Sequence, residues 1–203
     1  MGNLSLSEYP EHVFVFVDRS NFVTAHNLDV TGTFVSSGLT GITGDNLPFV
    51  LNPSFAGALS PFLSNTIAGY RVEYDAEMAR RRHAPEAPSR LTSVYAFGDE
   101  ESCRLAAERH RWDLNQVEEF ALVPSPVLRV RRVNMEIVSL AMYAYPRAAW
   151  SGEDIDAFWR AYWSGADGFT VELPQPPVHV PFASGCLWEY LIEGSLRLVS
   201  HRG

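Results

Sequence analysis

The run His12-Val13-Phe14-Val15-Phe16-Val17 constrains this chain more than any other stretch. A strand with one wet face alternates apolar and polar residues. Here β-branched and aromatic residues follow one another without interruption, which predicts a strand covered on both faces. At 203 residues the chain is long enough to supply that cover as one domain, residues 1–203, with 1–11 as a flexible lead-in. The run ends abruptly in Asp18-Arg19-Ser20-Asn21. A charged fork at the end of a covered strand lies at the rim of a sheet, where ligands sit. The same four residues also suit a plain turn with Arg19 in water.

Downstream, residues 27–60 are rich in Gly, Thr, Ser, Asn and Pro and read as a long loop with a short strand near Thr33-Phe34-Val35. Pro61 to His83 reads as a helix, with Ser60 as cap and Arg80-Arg81-Arg82-His83 at the end where the helix dipole favours cations. Leu91 to Phe97 is a β-prone segment bearing hydroxyls. Asp99 or Gly98 caps a helix from Glu100 to Arg111, whose Cys103 reads as a small buried apolar residue. Val117–Val123 is a strand. Val127–Val133 alternates apolar residues with Arg129, Arg131 and Arg132, as a strand with one solvated face does. Met135–Tyr145 is ambiguous. Ser151 caps a strongly aromatic helix from Asp154 to Trp163, ended by Gly165. Pro174-Gln175-Pro176-Pro177 reads as a stiff loop. Two β segments, Cys186–Ile192 and Ser195–Val199, flank Glu193-Gly194. Strands and helices in this order predict an α+β fold.

Composition removes several function classes. A net charge of −8 sets a repulsive overall field against general polyanion binding. Two distant cysteines, with no CxxC, and six histidines without metal-ligand spacing predict no structural zinc and no other metal. No Gly-x-Ser-x-Gly elbow, His-Glu-x-x-His helix or phosphate-binding Gly-Lys-Ser/Thr loop occurs. The N-terminus lacks the pattern of a signal peptide and no apolar run reaches membrane-spanning length. A cytoplasmic protein, or one delivered into a target cell without a cleavable signal, is therefore expected.

Glu189 is the odd residue of the last third. It stands inside an apolar strand, so its carboxylate must face solvent or be held by donors. Asp18-Arg19 after the first strand, Ser93 in the middle strand and Glu189 in a late one, taken together, resemble the ADP-ribosyltransferase superfamily, and its small bacterial members most. The resemblance rests on Phe16-Val17-Asp18-Arg19, Ala79-Arg80-Arg81-Arg82-His83 with Pro85, and Pro88-Ser89-Arg90-Leu91-Thr92-Ser93-Val94-Tyr95-Ala96. It continues through Tyr162-Trp163-Ser164-Gly165 and Trp188-Glu189-Tyr190-Leu191 with Gly194 and Val199.

That resemblance implies a split β-sandwich with flanking helices around a central NAD cleft. NAD is then the substrate, and no metal is required. Glu189 matches the catalytic glutamate. Arg19, with Asp18 beside it, matches the arginine that holds the NAD phosphates or ribose. Ser93 matches the serine of the middle strand, with Arg90 from the same motif at the cofactor. Cleaving the nicotinamide–ribose bond builds positive charge on the ribose, which a carboxylate stabilises and a guanidinium fork helps orient. Arginine-specific members carry a glutamate or glutamine two positions before the catalytic residue. Leu187 stands there, so arginine is a disfavoured acceptor, and another side chain, a nucleobase or water remains. The implied setting is a toxin or anti-phage effector, with a macromolecular acceptor and an antitoxin or immunity partner. Two alternatives stay open: a non-catalytic nucleotide- or protein-binding module on the same fold, and a hydrolase using Glu189 or Glu136 with Asp18.

Overall fold

The computed structural model describes residues 9–36, 70–148, 150–175 and 178–200. β1 (His12–Phe16) lies where its composition predicts and is covered on both faces. Val13 and Val15 enter one apolar cluster and Phe16 another. β2 (Thr33–Val35), β4 (Val117–Val123) and β9 (Ser195–Ser200) join β1 in a four-stranded sheet of order β1-β4-β9-β2. β3 (Val94–Ala96), β5 (Arg129–Asn134) and β8 (Trp188–Glu193) form a second sheet of order β3-β8-β5. All pairings are antiparallel. One isolated bridge links the two sheets: Phe14 N donates to Phe97 O at 2.8 Å and Phe97 N to Phe14 O at 2.7 Å. From there the sheets diverge. Val13, Val15, Phe34, Phe120 and Leu196 of one meet Val94, Ala96 and Ile192 of the other in a shared apolar layer.

The helices cover the remaining faces. α2 (Tyr70–His83), α4 (Met135–Ala144) and α5 (Gly152–Ser164) pack on Tyr95, Val133 and Leu191 of the three-stranded sheet. α3 (Glu100–His110) seals Phe16, Phe97 and Val117 with Cys103, Ala106 and Ala107, so Cys103 is buried as expected. The caps follow local chemistry. Asp99 accepts from Ser102 N, Asn134 accepts from Glu136 N, and Ser151 with Asp154 forms a reciprocal capping box. Gly165 takes φ 79°, a left-handed conformation favourable to glycine, and ends α5. Among the described residues no helix is long and apolar enough to cross a membrane.

Four features depart from the sequence reading. α1 (Phe22–Thr31) occupies the start of the expected loop; it lacks an amphipathic stripe, and its visible start signal is Asn21, whose Oδ1 accepts from Thr24 N. Residues 37–69, with the rest of that loop and the first half of the expected helix, lie outside the described residues. β6 (Thr170–Gln175) takes in two residues of the expected proline loop and pairs with β7 (Val178–Ala183) as a separate hairpin. β8 and β9, adjacent in sequence, belong to different sheets. Gly194 makes the crossing. Its N–H donates to Ser36 Oγ and its carbonyl accepts from Ser36 N, and a Cβ there would stand 2.5 Å from Leu128 Cδ1. Finally, the arginines of β5 do not form a solvated row. Arg129 and Arg131 share one face and bond to Glu193 and the Trp163 carbonyl, whereas exposed Arg132 stands on the other.

Candidate functional site

Strand alternation directs Glu189, Leu191 and Glu193 of β8 to the helix-covered face. Glu189 arrives there opposite Val133 with its side chain 2% exposed. Its donor is Arg90, from the turn that precedes β3. Ser93 N and Thr92 N both donate to Ser89 O, and Leu91 N donates to Ser89 Oγ, which curls Ser89–Thr92 and aims Arg90 inward.

Arg90 organises the site. Its Nε and Nη2 fork onto Glu73 of α2 at 2.9 and 3.0 Å. Its Nη1 donates to Tyr162 Oη of α5 at 2.5 Å and to Glu189 Oε1 at 3.1 Å. The guanidinium lies 5.1 and 5.5 Å from the Tyr95 and Tyr162 ring centroids, and Tyr95 Oη donates to the Arg90 carbonyl at 2.8 Å. All five residues are buried. One cation thus faces two carboxylates, all three buried. Burial pushes Glu189 up to about 7, and the charge and hydrogen bond of Arg90 pull it back only in part. Burial opposes charge on Arg90, but Glu73 and Glu189 hold it well above its ordinary range. Burial also raises both tyrosines, so they stay neutral.

The same turn carries a second carboxylate pair. Glu193 accepts from Ser89 N at 3.1 Å and Thr92 Oγ1 at 2.5 Å, and pairs with Arg129. Glu77, one helical turn beyond Glu73, accepts from both Arg80 nitrogens at 2.8 Å and from Arg81 and Ser89 Oγ at 2.9 Å. Burial raises Glu77, but these donors outweigh it and hold the carboxyl at about 2. Arg80 Nη1 also closes the helix end by donating to the carbonyls of Pro85 and Ala87.

The residues singled out in the sequence divide between two places. Arg90 and Glu189 meet. Arg19 lies beyond β1 and forks onto Glu118 of β4, with Nη1 on Asp29 at 2.8 Å. Asp18 makes a local turn, its Oδ1 accepting from Ser20 N and Ser20 Oγ. Ser93 donates to the Ser89 carbonyl at 2.6 Å. It precedes the Val94–Ile192 pair, so the register carries it toward Glu193 rather than Glu189. Arg19 therefore does not join Glu189, and the arginine beside that carboxylate is Arg90. Glu136 pairs with Arg109 at 3.1 Å and His110 at 3.4 Å, in a place apart from Asp18. Among the described residues no three His, Cys, Asp or Glu side chains are grouped to hold a metal ion.

Glu73, Glu77, Glu193 and Tyr162 were not named as site residues from sequence. A signal existed for the first two: carboxylates four residues apart, flanking the apolar arc Val72, Ala76 and Ala79 of α2, mark a buried edge in need of cations. In sequence comparison the chain matches no family model, and no curated protein matches it.

Proposed function

We propose that the protein is a NAD-dependent ADP-ribosyltransferase in which Glu189 is the catalytic carboxylate and Arg90 its positioning partner. The observation that carries this reading is the Arg90–Glu189 contact itself. It sets a carboxyl held at about 7 against a fixed guanidinium, in the late strand to which the resemblance assigns the catalytic residue. Two antiparallel sheets joined by one bridge agree with a split sandwich.

Ionised Glu189 would accept the ribose 2′-hydroxyl and stabilise the positive charge that grows as nicotinamide leaves. Arg90 favours the ionised form of the carboxyl and aims it. Because Arg90 Nη1 also donates to Tyr162, exchanging Glu189 for substrate leaves that nitrogen bonded. Arg19 retains its Glu118 fork, while its contact with exposed Asp29 is the one a phosphate exchanges at least cost. Leu187, two residues before Glu189, is buried and apolar, which supports an acceptor other than arginine. A nucleic acid, another protein side chain or water is the acceptor class.

A second reading has its own observation. Glu189 and Arg90 are closed off by each other and by helices, as a clamp that orders the core of a non-catalytic binding module would be. Incubation with NAD separates the two. Nicotinamide release by the native protein, lost in Glu189→Gln with the fold intact, supports catalysis. Equal release by both, or none by the native protein, leaves the clamp. Labelled NAD traced through a lysate then identifies protein, RNA, DNA or water as acceptor.

A further inference from the structure

A cavity of about 730 Å³ opens along β5, away from the Arg90–Glu189 contact, and its walls include Tyr9, Glu86, Pro124, Pro126, Arg129 and Arg131. That volume falls in the range of small-molecule sites, roughly 300–1,000 Å³. Among the described residues β5 pairs with β8 alone, and Arg129, Val130 and Arg131 of β5 line the cavity. The charged walls are two guanidiniums and one carboxylate, and Glu193 stands behind them as the partner of Arg129.

Each charged group has capacity left. Arg129 pairs with Glu193 through Nη2, and its side chain is 41% exposed. Arg131 donates Nη2 to the Trp163 carbonyl, while its Nε is buried without a hydrogen-bond partner, a state that a nearby acceptor relieves. Glu86 is exposed on the turn after α2. A guanidinium pair suits a phosphate, and a carboxylate suits two vicinal hydroxyls but repels a phosphate. A ligand satisfying both carries a phosphate and a diol on one small body. Tyr9, Pro124 and Pro126 give that body apolar walls and one aromatic face to lie on.

We infer that this cavity binds a free nucleoside monophosphate, with its phosphate on Arg129 and Arg131, its ribose hydroxyls on Glu86 and its base against Tyr9 and the prolines. The inference does not rest on the transferase reading, since neither Glu189 nor Arg90 lines the cavity.

Isothermal titration of the whole chain with AMP tests it. The expected result is one saturable site, with adenosine and inorganic phosphate each at least about tenfold weaker. Arg131→Gln weakens AMP by about tenfold or more. Glu86→Gln weakens AMP while leaving inorganic phosphate unchanged. Glu189→Gln binds AMP as the native protein does, whatever becomes of nicotinamide release. No saturable AMP binding at millimolar concentration overturns the site. So does undiminished AMP affinity in Glu86→Gln, which decides alone if Arg131→Gln fails to fold. A 5′-phosphorylated tetranucleotide that binds more tightly than AMP overturns the assignment to a free nucleotide.

Discussion

Arg90 and Glu189, 99 residues apart in the chain, meet at 3.1 Å with side chains 7% and 2% exposed. Arg90 gives Glu73 two hydrogen bonds and Glu189 one, from a nitrogen that it shares with Tyr162. Burial raises Glu189 to about 7, and its single bond from Arg90 pulls it back only in part. Stability and chemistry of this region depend on that asymmetry.

Removing the cation strands both carboxylates. Arg90→Met is expected to cost roughly 3–5 kcal/mol, the range for breaking a buried ion pair from one side. Urea unfolding measures it. Arg90→Met combined with Glu73→Gln and Glu189→Gln recovers part of the loss, because the uncompensated charges are gone. A single variant as stable as the native protein would show that the cluster does not bear charge.

Glu189 also sets a pH dependence. Its folded value of about 7 lies above its ordinary 4.5, so the native state binds the proton more tightly than the unfolded chain. Its contribution is fully favourable below pH 4.5 and is lost as pH rises through 7. The loss is roughly 2–4 kcal/mol by linkage. Unfolding of native protein and Glu189→Gln at several pH values reads it: native stability relative to the variant falls between pH 5 and pH 8, roughly the interval spanned by the two values.

The proposed chemistry has the opposite slope. Stabilising a developing cation requires the ionised carboxylate, so nicotinamide release rises with pH through a midpoint near 7. A profile flat across that midpoint, in protein that does release nicotinamide, removes Glu189 from the catalytic role.

Glu77 acts at the other end of the scale. Held at about 2 against an ordinary 4.5, it contributes stability above pH 4.5 that disappears as pH falls through 2. Glu77→Gln is expected to flatten the acid limb of a stability–pH curve and to loosen the turn that carries Arg90, since Ser89 Oγ loses a charged acceptor. Proteolysis near Pro85–Thr92 reports the loosening.

Gly194 lies where β8 leaves one sheet for the other. Gly194→Ala sets a methyl 2.5 Å from Leu128 Cδ1, so Leu128 must move. A loss of about 1–3 kcal/mol is expected from overpacking. Pairing the change with Leu128→Ala restores part of it, which thermal melting measures.

Much of the fold was legible because its signals are local. The β-branched run of β1, the Asp99 and Ser151 caps, the Gly165 stop and the apolar Cys103 depend on neighbours a few residues away. α1 was missed because its sequence lacks a periodic stripe. The arginine face of β5 was misplaced because alternation says which residues share a face, not which face meets water. Glu189 was expected to need either solvent or donors, and its environment supplies the second.

By itself, then, the sequence determined the mixed α+β content, most strand and helix positions and the requirement that Glu189 be compensated. Each follows from propensity, periodicity or the cost of burying charge. Only the tertiary structure decided the donor. Arg90 and Glu189 carry no local mark of their contact, and the sequence reading named no donor for Glu189. The division of β8 and β9 between two sheets, and the helices that close over β8, gave Glu189 to Arg90 and left Arg19 to Glu118. Long-range packing buries both groups there, and the position of the guanidinium then sets how far burial raises Glu189.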